Sequence, residues 1–372
     1  MKYCLDARTA TDHFPGIGRY VSNLARAMVD QLAGDEQLIV LRDPAQTSRW
    51  TLPAPLSGKV IIIEASVSPF GFSQQWIIPR MLRASGLDVY HSPYYLMPYF
   101  PGRPTVVTIY DLIPQLFPRV VSARARILFQ WTTRLALRSA DQVVTISEAS
   151  RQDLLAAYRL NPARVTAIPL APDPVMCPQS EEEKRRVREK FGLPERFVLY
   201  LGINKPHKNL VRLVEAWKMV ATDALLVIAG AWDARYPQVK ERVAALGLGA
   251  RVRFLGPVSN VDQPALYAAA TVFVFPSMYE GFGLPVVEAM ACGTAVICSN
   301  TSSLPEAAGE AATLFDPTQT GEIAASLARL LDDARLRETF RERGIEQARR
   351  FTWEQVARKT LAIYRKLAVQ GK

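Results

Sequence analysis

The feature that most constrains this chain is an alternation sustained from one end to the other: short β-branched apolar runs, each followed by a segment of helical length. Strands separated in this way cannot pair as hairpins; they lie parallel, joined by helical crossovers. In the first half the runs fall at 2–7, 38–41, 60–64, 89–91, 105–110, 142–146 and 165–168, and helices are expected over 18–32, 73–84, 122–139 and 147–158. A second series at 197–201, 225–229, 252–255, 272–275, 295–298 and 313–315 repeats the pattern. Between the two, four prolines from Pro169 to Pro178 break any regular element. The expected class is therefore α/β, with two Rossmann-like doubly wound domains at 1–175 and 176–351. Residues 352–372 add a helix, opened by the capping box Thr352-Trp353-Glu354-Gln355 and packing back across the domains. Two such sheets facing across a cleft bind ligands outside the carboxyl ends of their strands, so function is sought in strand-to-helix loops.

Composition narrows the classes. The chain has 372 residues, 49% hydrophobic and 22% charged, which suits two cored domains and excludes disorder, collagen and coiled coil. No apolar run approaches the ~20 residues that span a bilayer, and the first residues lack the apolar stretch of a signal peptide, so a cytoplasmic protein is expected. Cys4, Cys177, Cys292 and Cys298 form no C-x-x-C pair and lie far in sequence from His13, His91 and His207. A zinc site or disulfide framework is thus not expected, and buried filler is the reading of the thiols. The net charge of +10 is shared evenly, with 18 basic and 13 acidic side chains in residues 1–175 and 27 and 22 in the remainder. A positive surface of this kind suits an anionic partner or a merely solvated face.

The most informative loop follows the run at 272–275 and reads Pro276-Ser277-Met278-Tyr279-Glu280-Gly281-Phe282-Gly283-Leu284-Pro285-Val286-Val287-Glu288. Pro285 suits the first turn of a helix, which leaves N–H groups near Gly283 and Leu284 open at a positive helix end able to hold a phosphate. Gly281 and Gly283 allow close backbone approach. Glu280 on the loop and Glu288 in the first helical turn would repel that phosphate unless they accept from hydroxyl groups, and sugar and ribose hydroxyls are natural partners. The spacing alone is equally met by a solvated loop carboxylate and a helix-end carboxylate.

With this segment in view, the chain resembles the family-four retaining glycosyltransferases, whose phrase Glu-Gly-Phe-Gly-Leu-Pro-x-x-Glu is complete from Glu280 to Glu288. The resemblance implies the two-domain GT-B fold and a nucleotide-sugar donor. It implies that Glu280, Gly281, Phe282, Gly283 and Leu284 hold the transferred sugar and that Glu288 binds the ribose. Gly16-Ile17-Gly18-Arg19-Tyr20 occupies the place of the family's glycine loop against the donor diphosphate. Leu201-Gly202-Ile203-Asn204-Lys205-Pro206-His207-Lys208-Asn209 resembles the loop whose lysine pairs with that diphosphate, which makes Lys208 the lysine; His207 stands beside it where many members carry arginine, and Lys205 is left as the second cation. Val89 to Tyr95 is similar to an acceptor-side loop and reads equally as aromatic packing within its own domain, while Ser147 to Ser150 resembles the family's serine-rich helix start, with Ser147 favoured as a plain N-cap over a functional role. Gly256-Pro257-Val258 is expected near the nucleobase.

One departure bears on chemistry. Many members read His-Asp-Leu where this chain reads Tyr110-Asp111-Leu112, and a phenol donates a hydrogen bond but does not become cationic near neutral pH. Asp111 is expected to orient acceptor and sugar hydroxyls, or to be an ordinary turn residue. No Asp-x-Asp triplet occurs, so no metal or other cofactor is expected; lysine and helix ends would meet the charge on the leaving diphosphate. The reading is a metal-independent hexosyltransferase, mannosyl or related, using a GDP-sugar and a glycan or lipid-linked saccharide acceptor. A sugar-nucleotide epimerase and a non-catalytic sugar-nucleotide binder are the alternatives on this architecture. From Leu112 to Ala140 there is no acid, while Arg119, Arg124, Arg126, Arg134 and Arg138 interleave with Ile127, Phe129 and Trp131. Such a helix would seat the domain peripherally on the inner face of an anionic membrane or on a lipid diphosphate acceptor, or is a half-buried helix with snorkelling arginines.

Overall fold

The computed structural model describes residues 1–45, 50–53 and 58–370, with the side chain of Arg119 outside the described part. The chain divides into two compact units, Met1–Leu170 with Thr352–Lys372, and Ala171–Phe351. The division falls inside the proline-rich stretch, a few residues before the expected boundary, and the C-terminal helix Trp353–Gln370 belongs to the first unit.

In the first unit, β1 (Lys2–Asp6), β2 (Gln37–Arg42), β3 (Val60–Glu64), β4 (Val89–Ser92), β5 (Thr105–Ile109), β6 (Gln142–Thr145) and β7 (Val165–Ala167) form one parallel sheet in the order β3-β2-β1-β4-β5-β6-β7. In the second, β8 (Phe197–Leu201), β9 (Leu225–Ala229), β10 (Val252–Gly256), β11 (Val272–Phe275), β12 (Val296–Ser299) and β13 (Ala312–Phe315) run parallel in the order β10-β9-β8-β11-β12-β13. These strands are the expected runs to within a residue or two. Helices cover both faces, which is why the central strands read as near-continuous apolar runs instead of alternating ones.

Strand order reverses direction between β1 and β4 and between β8 and β11, and a doubly wound sheet opens a crevice at that reversal. In the second unit the two loops that sequence singles out, after β8 and after β11, therefore leave neighbouring strands. The first sheet has unlike faces. Tyr90, Val107 and Ile109 bury against the helices Gln74–Ala84 and Ala123–Ser139 through Ile78, Leu82, Phe129 and Leu137. His91 faces the opposite layer, where its Nδ1 lies 2.6 Å from the Tyr364 hydroxyl of the C-terminal helix and its Nε2 lies 2.8 Å from Thr108. That helix has the N-cap half of the expected capping box, with the Gln355 N–H donating to Thr352 Oγ1 at 3.2 Å, and Arg365 clamps it to Glu36 at 2.7 Å. Of the four free thiols, Cys4, Cys292 and Cys298 are buried; Cys177 is exposed, which corrects its reading as filler.

Candidate functional site

The site in the second unit is built by two loops. After β8 the chain runs through Gly202 to a short 3-10 turn, Pro206–Lys208, and Asn209 in the left-handed region turns it into the helix Leu210–Met219. Asn204 pins this loop from the side, donating to the carbonyls of Asp233 and Tyr236 and accepting from the Asp233 N–H. Gly202 and Gly230 permit the close passage here: a Cβ on Gly230 would stand 2.3 Å from the Gly202 carbonyl oxygen. The loop after β11 is held by its neighbours' backbone and hydroxyls. The Met278 N–H donates to the His207 carbonyl at 2.7 Å, and the Glu280 carbonyl accepts from Ser302 Oγ at 2.6 Å and Ser303 Oγ at 2.9 Å.

These anchors bring the expected pair together. Lys208 Nζ donates to both carboxylate oxygens of Glu280, at 2.6 and 2.8 Å, with both side chains largely buried. The same ammonium lies 5.4 Å from the centre of the Phe275 ring. Burial and the neighbouring Lys208 and Lys205 hold the His207 imidazole down to about 3, so it is neutral and serves the loop through its carbonyl, while Lys208 and Lys205 carry the charge. The helix Leu284–Ala291 begins at Gly283, whose φ of 99° only glycine takes without strain and whose Cβ would meet Leu304 Cδ2 at 2.7 Å. Phe282 turns inward and packs edge-on against Phe351 at 5.3 Å, so it braces the loop and leaves the ligand side to backbone.

Glu288 stands at the fifth helical position, in the second turn and not the first as expected. It is buried and accepts from the Tyr267 hydroxyl at 3.1 Å. Sequence reading missed Tyr267, Ser302 and Ser303. The serines were findable: they lie on another strand-to-helix loop, after β12, and Pro305 marks the start of the helix Leu304–Ala308.

The first unit corrects one expectation. Gly16 and Gly18 are not a loop: Pro15 opens the helix Pro15–Val29, and the Gly18 N–H is already committed to the Phe14 carbonyl at 2.9 Å. A Cβ on Gly18 would fall 2.2 Å from the Trp50 indole nitrogen, so this glycine makes room for an indole ring. The loop proper is residues 7–14, braced by a buried ion pair of Arg8 with Asp6 at 2.6 Å. Asp111 accepts from the Ile113 N–H at 2.9 Å, turning the chain after β5, and its charge bears on Tyr94 and Tyr95. The Tyr110 hydroxyl is buried without a hydrogen-bond partner, and burial raises its pKa well above the usual value. Ser147 is a plain N-cap, accepting from the Ser150 N–H at 2.9 Å.

On the helix Ala123–Ser139 the interleaved groups face outward: Trp131 is 62% exposed and Leu128 59%, beside exposed Arg124, Arg134 and Arg138, with Arg126 half-buried. A cavity of about 200 Å³ lined by Gln115, Gln130, Trp131, Arg134, Ala157 and Tyr158 opens beside it. Among the described residues no group of three or more His, Cys, Asp or Glu could hold a metal ion, and no helix is long and apolar enough to cross a membrane.

The chain matches two family models, Glycosyltransferase Family 4 over residues 15–175 and Glycosyl transferases group 1 over 181–347. It is 34% identical over 381 aligned residues to the O-antigen chain mannosyltransferase B of Escherichia coli, covering 95% of this chain and 96% of that one. It is 29% identical over 270 residues to the serotype-specific mannosyltransferase WbdA of Escherichia coli, where the match covers 68% of this chain but only 32% of the relative. Among solved structures, sucrose-phosphate synthase from Thermosynechococcus elongatus superimposes with a TM-score of 0.75 at 23% identity, over 100% of both chains. With its two parallel sheets, its paired Lys208 and Glu280 and these matches, the chain belongs to the family-four glycosyltransferases of GT-B fold and is a glycosyltransferase.

Proposed function

We propose that the protein transfers a hexosyl residue, mannosyl or closely related, from a GDP-sugar to a glycan or lipid-linked saccharide in polysaccharide assembly, with retention of configuration and without a metal ion. The observation that carries this is the Lys208–Glu280 pair beside the helix that starts at Gly283. An ammonium and open helix N–H groups are what a diphosphate needs, and a carboxylate is what sugar hydroxyls need. On donor binding, Lys208 turns part of its hydrogen bonding from Glu280 to the diphosphate, and Glu280 accepts from the sugar. Glu288 and Tyr267 offer the next hydroxyl partners, for the ribose. Lys205 and the backbone of Gly281, Phe282 and Leu284 complete the donor side.

In the transfer the bond from the anomeric carbon to the phosphate oxygen breaks with its electron pair going to the diphosphate. The acceptor hydroxyl oxygen bonds the same face of that carbon, and its proton passes to the departing phosphate oxygen. Asp111 orients hydroxyls, and Lys208 with the helix end stabilises the charge that develops on phosphate. Full-length similarity to a mannosyltransferase favours this reading over an epimerase or a non-catalytic binder. The outward face of the helix Ala123–Ser139 supports a peripheral seat on the inner, anionic membrane surface through Arg124, Arg126, Arg134 and Arg138; Arg119, whose side chain is not among those described, belongs to the same stretch.

A thermal-shift screen over nucleotide sugars tests the donor directly: a GDP-hexose is expected to raise the midpoint most. Slow donor hydrolysis, lost in Glu280→Ala and unchanged by chelator, is the expected enzymatic signature. A strict magnesium requirement overturns the metal-free mechanism, and binding with no turnover across acceptors overturns transfer.

A further inference from the structure

A second apolar surface lies on the first unit, on a different helix from the arginine-bearing one. Phe72 is 81% exposed, Phe70 54% and Trp76 56%, and Ile77 follows at 41%. In the helix Gln74–Ala84 the core takes Ile78, Pro79 and Leu82, leaving Trp76, Ile77, Arg80 and Arg83 on one outward stripe. Isolated exposed apolar residues are ordinary, but three aromatics and an isoleucine within eight positions are not. In sequence this stretch is basic. From Ala65 to Ala140 the chain has eight arginines, no lysine and two acids, Asp88 and Asp111. Asp88 is spent on the Lys2 N–H at 2.8 Å and Asp111 on the turn after β5.

This stripe and that of the helix Ala123–Ser139 point the same way. Both helices pack on the same face of the first sheet, in one core with Tyr90 and Val107, so both turn their exposed stripes away from it. Tyr99 ties them: its N–H donates to Gln75 at 2.9 Å and its carbonyl accepts from Ser139 at 2.6 Å, which sets Phe100, 83% exposed, on the segment between them. The aromatic patch also reaches the loop after β4. Phe70 packs on Phe14 with centroids 5.8 Å apart, and Phe14 on Tyr94 at 5.4 Å.

We propose that Phe70, Phe72, Trp76 and Ile77, flanked by Arg80 and Arg83, form a lip that inserts into the headgroup region of an anionic phospholipid bilayer and sets the Tyr94–Tyr95 loop at the membrane plane. Aromatic rings with arginines on a helix that holds no acid are the groups that bury at that boundary. The proposal rests on the peripheral seating above and extends it: arginines of the helix Ala123–Ser139 attract the surface, and the lip enters it. An acceptor carrying a lipid is then presented to the loop from the bilayer itself.

The test is co-sedimentation of the full chain with vesicles of phosphatidylcholine, alone or with phosphatidylglycerol. The expected result is binding only where phosphatidylglycerol is present, weakened at least about tenfold in Phe72→Ser/Trp76→Ser, while the thermal shift given by the donor is kept. Trp76→Phe serves as a second variant that leaves packing nearly intact: it should remove a large part of the fluorescence quenching by brominated acyl chains. If the serine variant binds as the parent does while Arg124→Gln/Arg134→Gln/Arg138→Gln is released, the lip is not at the membrane and the arginine seating stands alone. If the parent binds neither vesicle, both readings fall. If the parent dimerises in solution and the serine variant does not, a second copy of this chain covers the patch and the proposal is overturned.

Discussion

Lys208 and Glu280 neutralise each other in a largely buried setting, and that decides what each substitution does. Lys208→Ala removes the cation intended for the diphosphate and leaves a buried carboxylate unpaired. A charge-assisted bond of about 2 kcal/mol predicts a loss of donor affinity of roughly thirtyfold, read by calorimetric titration with the nucleotide sugar. Tyr110 is a different case. Its hydroxyl is buried without a partner, a state that costs about 1–3 kcal/mol. A polar atom left so is either a packing compromise or a donor waiting for a ligand. Tyr110→His is expected to change the transfer rate with the fold intact; an unchanged rate with every donor would remove this position from the chemistry. Sequence made Lys208, Glu280 and Asp111 visible, because each lies on a loop after an apolar run and in a segment that resembles a family motif. Tyr267 was hidden: it lies mid-helix among apolar residues, and only folding carries its hydroxyl to Glu288.

At the scale of elements, the helix start at Gly283 and the seam between β4 and the C-terminal helix carry the most. A Cβ at Gly283 meets both a φ of 99° and the Leu304 side chain at 2.7 Å. Gly283→Ala is therefore expected to cost about 1–3 kcal/mol in stability by chemical denaturation, and to weaken donor binding because the N–H groups at this helix end are displaced. The seam depends on a neutral histidine bridging two hydroxyls. His91→Phe keeps the ring shape but strands the Tyr364 hydroxyl, while Thr108 keeps Tyr20 at 3.2 Å, and a loss of about 1–3 kcal/mol is expected in denaturant titration. Strands and long helices were legible element by element, since parallel strands and amphipathic helices leave distinct periodicities. The start of the first helix was not. Gly16 and Gly18 look like loop residues, yet Pro15 at the first helical position begins the helix upstream of both, and the room Gly18 makes is for Trp50, more than thirty residues along the chain.

For the whole molecule, the titrating groups bias stability toward neutral pH. Burial holds His91 and His207 down to about 3, so below the ordinary histidine range the unfolded chain takes up protons that the folded chain refuses. Stability from these two is full above about 6.5 and falls as pH drops toward 3. Glu36, held at about 2 chiefly by its hydrogen bond from Arg365, loses its contribution as pH falls below the usual carboxylate range. The thermal midpoint followed by circular dichroism is thus expected to decline steadily from pH 7 to pH 4. His91→Phe should flatten that decline, and a midpoint indifferent to pH in this window would contradict the buried neutral histidines.

Periodicity, proline breaks and one complete motif were enough to establish two doubly wound units, the thirteen runs that become β1 to β13, and the loop that carries Glu280, because each of these is written in residues close together in the chain. Which strands lie side by side was decided only on folding. Right-handed crossovers that bury both sheet faces bring β11 next to β8 across two intervening strands in sequence, and that pairing, with the anchors on the two loops, places the ammonium of Lys208 on the carboxylate of Glu280. The outward turn of Trp76 and Trp131 was likewise settled by the core: the helix face that fits Tyr90 and Val107 goes inward, and what remains must meet whatever lies outside.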